Sequence, residues 1–306
     1  MKYRFKKASA DALALYGLGE HADTPQKTQK KKDPVFIIGI IVCLSLLVLS
    51  IAYFVSAGLS YSHADDVYSD IEDRFSVIDR LPFMAKPKDE PYLLDYDAML
   101  SGGSSFVSGS QGESIEFIRI KSTLRALRRT NEEVVGWIKI DDTGIDYPVV
   151  RTTNNDFYLN HAYDRSYLNA GAIFFDFRCT DSLENTYNTV IYGHNMFSGI
   201  MFHDVIKYKD EEFFNSHDIT ISTDDGIFTF RPFSIYETVS TDKYFKVNFE
   251  SDEEFGAFAV DVQSRSLFAT DIELNGSDRI ITFSTCTNDS EEGRLVLHAV
   301  LIEKRN

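Results

Sequence analysis

The chain has 306 residues, 43% of them apolar and 25% charged, a composition that excludes a disordered polymer and leaves room for one sizeable domain with accessories. Its net charge of −16 is unevenly spread: residues 1–34 hold 8 Lys/Arg against 4 Asp/Glu, leaving 23 basic against 43 acidic residues beyond them. So acidic a body argues against nucleic acid as a partner, because phosphate binding needs a basic face, and it is compatible with a cationic partner such as a free amine.

In chain order, the first element is an uncharged run of 21 residues from Val35 to Val55. At roughly 1.5 Å per residue it is long enough to cross a hydrocarbon core of about 30 Å. Lys27, Lys30, Lys31 and Lys32 immediately precede it, so the positive-inside rule keeps the N-terminus cytoplasmic and sends everything after about Ser56 outside. A cleaved signal peptide is the competing reading, since Val55-Ser56-Ala57 and Ser62-His63-Ala64 offer small residues. The apolar run is too long for it, because signal cores are roughly 7–15 residues. The predicted organisation is a cytoplasmic segment (1–34), a transmembrane helix (35–56), an extracellular stalk and linker (57–113) and a main folded domain (114–306).

Beyond the anchor, Val67, Ile71, Phe75, Ile78 and Leu81 are spaced 4, 4, 3 and 3, which predicts an amphipathic helix over Asp65–Leu81 serving as a stalk or a packing helix. Met84–Glu113 is rich in Pro, Gly and Ser and reads as a linker or long surface loop. A second helix is predicted from Ser114, a good N-cap, to about Thr130, with Phe117, Ile120, Leu124 and Leu127 on one face.

From Asn131 the period changes to two. Strands are predicted at Val134–Ile140, Tyr147–Val150, Gly171–Phe175, Thr189–Tyr192, Asp218–Ser222, Ile227–Tyr236, Arg279–Ser284 and Leu295–Ile302, separated by turn residues. Eight short strands suggest a closed barrel or a sandwich. Asp252–Phe268, with a Ser/Asp-rich start and Phe255, Phe258 and Val262, reads as a helix inserted between two strands.

Three residues carry candidate chemistry. Cys286 closes a predicted strand, Arg294 follows eight residues later on the other arm of the hairpin, and His194 sits where a strand runs into a Gly-containing turn. Each alone has a plain structural reading: a small buried hydrophobe, a solvated hairpin charge, a surface hydrogen-bonder. Together they supply a nucleophile, a proton-transfer group and a fixed cation for an oxyanion. Cys43 lies in the apolar run, so a reactive thiol at Cys286 requires that Cys179 and Cys286 are not bonded to each other. No Cys-x-x-Cys, glycine-rich phosphate loop or zinc signature is found, so no metal and no cofactor is expected.

At these residues the sequence resembles the sortases, membrane-anchored cysteine transpeptidases of Gram-positive bacterial surfaces. Thr282-Phe-Ser-Thr285-Cys286 resembles their Thr-x-x-Thr-Cys pattern, Tyr192-Gly193-His194 their Tyr-Gly-His, and Arg294 stands at their arginine position. Gly136-Trp-Ile-Lys-Ile140, Ile145–Val150 and Ala170–Phe175, with the inserted helix and the helix before the first strand, look like class B, over roughly residues 114–303. The resemblance implies a mainly β fold, an eight-stranded sortase-type barrel with N-terminal helices and one inserted helix, preceded by a single transmembrane helix.

It also implies that Cys286 attacks the threonine carbonyl of a C-terminal sorting signal on a secreted protein, forming a thioester that a peptidoglycan precursor or stem-peptide amine resolves. His194 would move the protons and Arg294 hold the oxyanion. On the resemblance alone, Asn155, Leu159, Ser284 and Thr285 line the peptide groove, with core packing the alternative for Leu159, and the inserted helix with the loop before it forms one groove wall. Cys179 has no role in the pattern and reads as a half-buried thiol.

Three rivals remain. A pilin-polymerising sortase would carry an Asp-Pro-aromatic lid motif and often a second membrane helix, neither of which is seen in these residues. An L,D-transpeptidase places its arginine two residues after the cysteine, not eight. The third is a non-catalytic surface-binding module with an inert Cys286.

Overall fold

The computed structural model describes residues 34–80, 84–85, 91–94, 106–108, 113–180, 182–287 and 292–306. The predicted residues 1–33 and most of the linker therefore lie outside the described residues. The chain divides into two compact units, residues 1–55 and 56–306.

The first element is one helix, α1 (Pro34–Arg80), where the sequence predicts two. Its Ile38–Val55 stretch is long and apolar enough to cross a membrane. Nothing in the residues between the two predicted helices breaks a helix: Ser56–Ala64 contains no proline, and its one glycine, Gly58, is tolerated at a modest cost. Within the second unit Ala64 is buried, Val67 and Tyr68 pack on the barrel, and the Tyr68 hydroxyl donates to Gly171 O at 3.0 Å. This part of the helix is a packing element, one of the two roles predicted for it. Burial and the neighbouring Tyr147 push the Tyr68 hydroxyl pKa well up.

The Pro/Gly/Ser-rich stretch read as a linker contains three short strands, β1 (Met84–Ala85), β2 (Pro91–Leu94) and β3 (Phe106–Ser108), joined as an antiparallel sheet. Strands of two to four residues carry too few alternations to register as a period. Helix α2 (Ile115–Thr130) begins where predicted: the Ser114 hydroxyl accepts from Phe117 N at 3.2 Å. It buries Phe117, Ile118, Leu124 and Leu127. Ser114 N donates to Asn306 O at 2.9 Å, so the start of this helix is tied to the last strand.

Eight strands then close a barrel: β4 (Val134–Ile140), β5 (Asp146–Val150), β6 (Ile173–Phe175), β7 (Asn188–Tyr192), β8 (Ile219–Thr223), β9 (Gly226–Val239), β10 (Ile280–Cys286) and β11 (Gly293–Arg305). Their order around the barrel is β10-β11-β9-β8-β4-β5-β6-β7, closing back on β10. β5–β6 and β7–β10 pair in parallel, and the other neighbours are antiparallel. Closure removes exposed sheet edges. β9 and β11 run longer than predicted and stay paired by absorbing register shifts at His298/Ala299 and Leu301/Glu303, since bulges let long strands bend around a barrel.

The barrel interior is an apolar core that includes Ile138, Val149, Phe175, Ile191, Phe228, Phe283 and Leu297. The short helix α3 (Glu211–Ser216) and the 3-10 turns at Phe157–Leu159, His203–Lys209 and Lys243–Phe245 are too short for periodicity to predict. The inserted helix, α4 (Asp252–Ser264), starts where expected and stops short of Phe268. Ser251 caps it through Glu254 N, and beyond it Leu267 N donates to Ile235 O at 2.8 Å, pulling the chain onto β9.

Candidate active site

The site sits where β7, β10 and β11 end together. Cys286 is the last residue of β10 and lies directly opposite Arg294 on β11. Thr287 N donates to Gly293 O at 3.1 Å, closing a hydrogen-bonded pair one residue beyond. Antiparallel pairs alternate, so Cys286 and Arg294 form a non-hydrogen-bonded pair, the kind whose side chains stand closest. Both are partly buried. On the other side β10 runs parallel to β7, with Ser284 opposite Tyr192, and His194 leaves β7 two residues later.

Gly193 is what lets it do so. A Cβ there would stand 2.5 Å from Ile173 Cδ1 and 2.7 Å from Phe202 Cδ2, so only a glycine passes between them. The His194 ring is anchored by its Nε2, 2.7 Å from Leu159 O. A carbonyl only accepts, so Nε2 carries the hydrogen and Nδ1 is the nitrogen left for proton exchange.

These residues open on one groove of about 470 Å³, whose lining includes all seven residues the sequence singles out: Asn155, Leu159, His194, Ser284, Thr285, Cys286 and Arg294. Leu159 is 41% exposed, which removes the core-packing alternative. Ser284 is buried and shares a 2.9 Å hydrogen bond with the Tyr244 hydroxyl. Thr285 is 3% exposed and its Oγ1 has no hydrogen-bond partner among the described residues. Arg294 Nη1 donates to Gly293 O at 2.8 Å.

Cys179 departs from its half-buried reading. It is 2% exposed and its Sγ lies 3.8 Å from Asn188 O. Burial pushes the thiol up to about 12. Cys179 and Cys286 are both free, so the disulfide alternative does not hold.

Of the expected groove wall, the loop before the inserted helix is present and the helix itself is not. Ser240, Tyr244 and Phe245 of the loop after β9 line it, whereas α4 stands behind, packing Phe255, Ala259 and Val262 against Phe233, Tyr236 and Tyr244. Asp242 braces that loop, accepting from Lys243 N at 2.6 Å, from the Thr238 hydroxyl at 2.6 Å and from Arg265 Nη1 at 2.7 Å. Burial alone would raise the Asp242 carboxyl, but these bonds outweigh it and hold the pKa below the usual range.

Sequence reading missed the groove's buried carboxylate, Asp176, which is fully inaccessible. It accepts from Arg178 Nε at 2.8 Å and Nη2 at 2.6 Å, from Asn155 Nδ2 at 2.9 Å and from the Tyr192 hydroxyl at 3.0 Å. Burial pushes its pKa up, and the Arg178 and Asn155 bonds more than reverse this. Arg178 Nη2 also reaches Phe245 O at 3.1 Å, joining the floor of the groove to its wall. An Asp and an Arg two residues apart at a strand end were the available signal, a pair that any surface turn can carry.

Beneath the wall a chain of donors crosses four strands. The Thr282 hydroxyl donates to Asn188 Oδ1 at 2.7 Å, and Asn188 Nδ2 donates to Lys246 O at 2.8 Å. Thr282 has one hydrogen, so its oxygen accepts from His298 Nδ1 at 2.8 Å, and His298 Nε2 accepts from the Tyr236 hydroxyl at 3.0 Å. Burial lowers the His298 pKa to about 3, so the ring is neutral.

A strand-end thiol facing an arginine, with a glycine-released histidine lining the same groove, gives a closed mixed β-barrel the parts that thiol-dependent acyl transfer requires. Known proteins agree. A family model described as a sortase domain matches residues 138–302. Sortase B of Listeria monocytogenes is 38% identical over 189 residues, covering 60% of this chain and 76% of the relative. Among solved structures, Clostridium perfringens sortase B matches with a TM-score of 0.56 at 36% identity, over 58% of this chain and 99% of that one. A substrate complex of Staphylococcus aureus sortase B matches with a TM-score of 0.56 at 32% identity, over 60% of this chain and 86% of that one. The chain belongs to the sortase family of cysteine transpeptidases, and its relatives are of class B.

Proposed function

We propose that this protein is a membrane-anchored transpeptidase that cuts a sorting signal after its threonine and transfers the secreted protein to a peptidoglycan amine. Cys286 is the nucleophile: its sulfur bonds to the threonine carbonyl carbon, the amide C–N bond breaks, and His194 gives the departing nitrogen its proton. An incoming amine then bonds to the same carbon, the C–S bond breaks, and His194 takes the amine's proton as the thiolate is restored. Arg294 hydrogen-bonds the oxygen that becomes negative in both steps, where its permanent charge acts at no reorganisation cost. Asn155, Leu159, Ser284 and Thr285 contact the peptide. The observation that carries this reading is the pairing of Cys286 with Arg294 at the mouth of a groove that His194 also lines.

In this reading residues 1–34 are cytoplasmic, 35–56 cross the membrane, 57–113 form a stalk and linker, and 114–306 are the extracellular catalytic domain. The apolar stretch of α1 and the lysines ahead of it support that topology.

The test uses the full chain in detergent with a library of five-residue motifs and a free amine, the cut bond being mapped by mass spectrometry. Cleavage after threonine with transfer to the amine is expected, and it should vanish in Cys286→Ala. A Cys286→Ala protein that still cleaves at the wild-type rate would sink the proposal.

A further inference from the structure

The parallel ladder between β7 and β10 pairs Asn188 with Ile280 through Tyr192 with Ser284, and one rung beyond, Gly193 N donates to Ser284 O at 3.4 Å. The bonds that β7 donates in this parallel ladder recur every second residue, so the next of them would run from residue 195 to the carbonyl of Cys286. The backbone cannot supply it. After Gly193 the chain turns away, Asn195 pairs as an isolated bridge with Met201, and Phe202 N donates to His194 O at 2.9 Å.

The side chain supplies it instead: Asn195 Nδ2 donates to Cys286 O at 3.2 Å. At its other end Asn195 Oδ1 lies 3.0 Å from His203 Nδ1. An amide oxygen only accepts, so His203 carries a hydrogen on Nδ1, and the carboxamide is held in one orientation from both ends.

We infer that Asn195 is a positioning residue for this reaction: its carboxamide ties the backbone of the nucleophile to the turn that carries His194, and His203 sets the carboxamide's orientation. The inference rests on the proposed roles of Cys286 and His194. Asn195 is not among the residues that line the groove; it acts by fixing where two strand ends stand relative to each other. Such distances matter, since a misplacement of about 1 Å can cost on the order of a hundredfold in rate.

The experiment compares Asn195→Asp, His203→Ala and His203→Asn with wild type in the full chain. Asp keeps an acceptor for His203 but cannot donate to Cys286 O, and it adds a negative charge against the backbone of Cys286. His203→Asn places an amide nitrogen close to where Nδ1 stands, whereas Ala removes the donor. Turnover of the mapped peptide gives kcat and KM, and iodoacetamide labelling of the Cys286 peptide, read by mass spectrometry against pH, needs no substrate.

For Asn195→Asp we expect kcat to fall about 10- to 100-fold with KM within about twofold, and the labelling midpoint to move to higher pH. His203→Ala should lose part of kcat and His203→Asn should restore most of it. Wild-type kcat with an unchanged labelling profile in Asn195→Asp overturns the inference, as does an equal loss in both His203 variants. If Asn195→Asp does not fold, the His203 pair decides alone. An inactive Cys286→Ala beside a fully active Asn195→Asp would reject this inference and leave the proposed function standing.

Discussion

Acid should weaken this barrel by an amount traceable to one side chain. His298 is fully buried, stacked near Phe233 and Tyr236, with Nδ1 donating to Thr282 and Nε2 accepting from Tyr236. Protonation would put a second donor against a hydroxyl already donating, in a fully buried site, and burial accordingly lowers its pKa to about 3. Because the folded value lies below the unfolded value of about 6.5, the unfolded chain takes up the extra proton. Stability is therefore full above about pH 6.5 and falls steadily as pH drops toward 3. Between pH 7.5 and 5 the linkage amounts to about 2 kcal/mol, or about 4–8 °C in Tm for a domain of this size. The carboxylates of Glu133, Asp176 and Asp242 are all held below their ordinary range, so their contribution is lost only at lower pH and does not intrude. The perturbation is His298→Gln, which keeps hydrogen-bonding capacity but cannot titrate in this window. The assay is urea unfolding of the full chain in detergent, followed by the fluorescence of the single tryptophan, Trp137, which is buried on β4. Comparing the two proteins at both pH values subtracts the other histidines. Wild type should lose about 2 kcal/mol more than His298→Gln on acidification. Equal losses would refute the account of His298 as a buried neutral ring.

Asp176→Asn should leave the Arg178 charge without its buried partner and loosen Asn155 and Tyr192, destabilising the fold by up to about 3 kcal/mol, less than a fully buried pair because Arg178 is partly exposed; urea unfolding at neutral pH checks it. Arg294→Lys keeps a charge but loses the planar fork, and on the proposed role kcat should fall about 10²- to 10³-fold while the protein unfolds normally, measured as peptide turnover beside a melting curve. Gly171→Ala should cost on the order of 1–3 kcal/mol, since Gly171 has φ +62° and a Cβ there would sit 2.4 Å from Tyr158 O; a lowered Tm is the readout.

What the sequence made legible follows from how local each signal was. β4 and the start of α2 were read to the residue because a period of two over seven positions and a Ser N-cap are short-range features. The eight-residue gap between Cys286 and Arg294 was legible for the same reason: it is a hairpin distance, and the register sets the two residues directly opposite each other. β1 to β3 and α3 were not, because elements of two to six residues offer less periodicity than chance fluctuation. The continuity of α1 was missed because the apolar run and the amphipathic pattern have different periods, although no residue between them interrupts a helix.

The groove shows the deeper limit. Asp176 with Arg178, Tyr244 with Ser284, and Asn195 with Cys286 are contacts of side chains with partners from 2 to 91 positions away, and the long-range ones exist only once the barrel has closed. A sequence pattern can mark Cys286 as a candidate nucleophile because thiol chemistry is rare among residue types. It cannot mark Asn195, because an asparagine after a histidine is chemically ordinary until the end of β7 leaves the Cys286 carbonyl one rung short. The residues proposed to perform acyl transfer are thus readable from their chemistry, while those that hold them at working distance are defined by where strands stop.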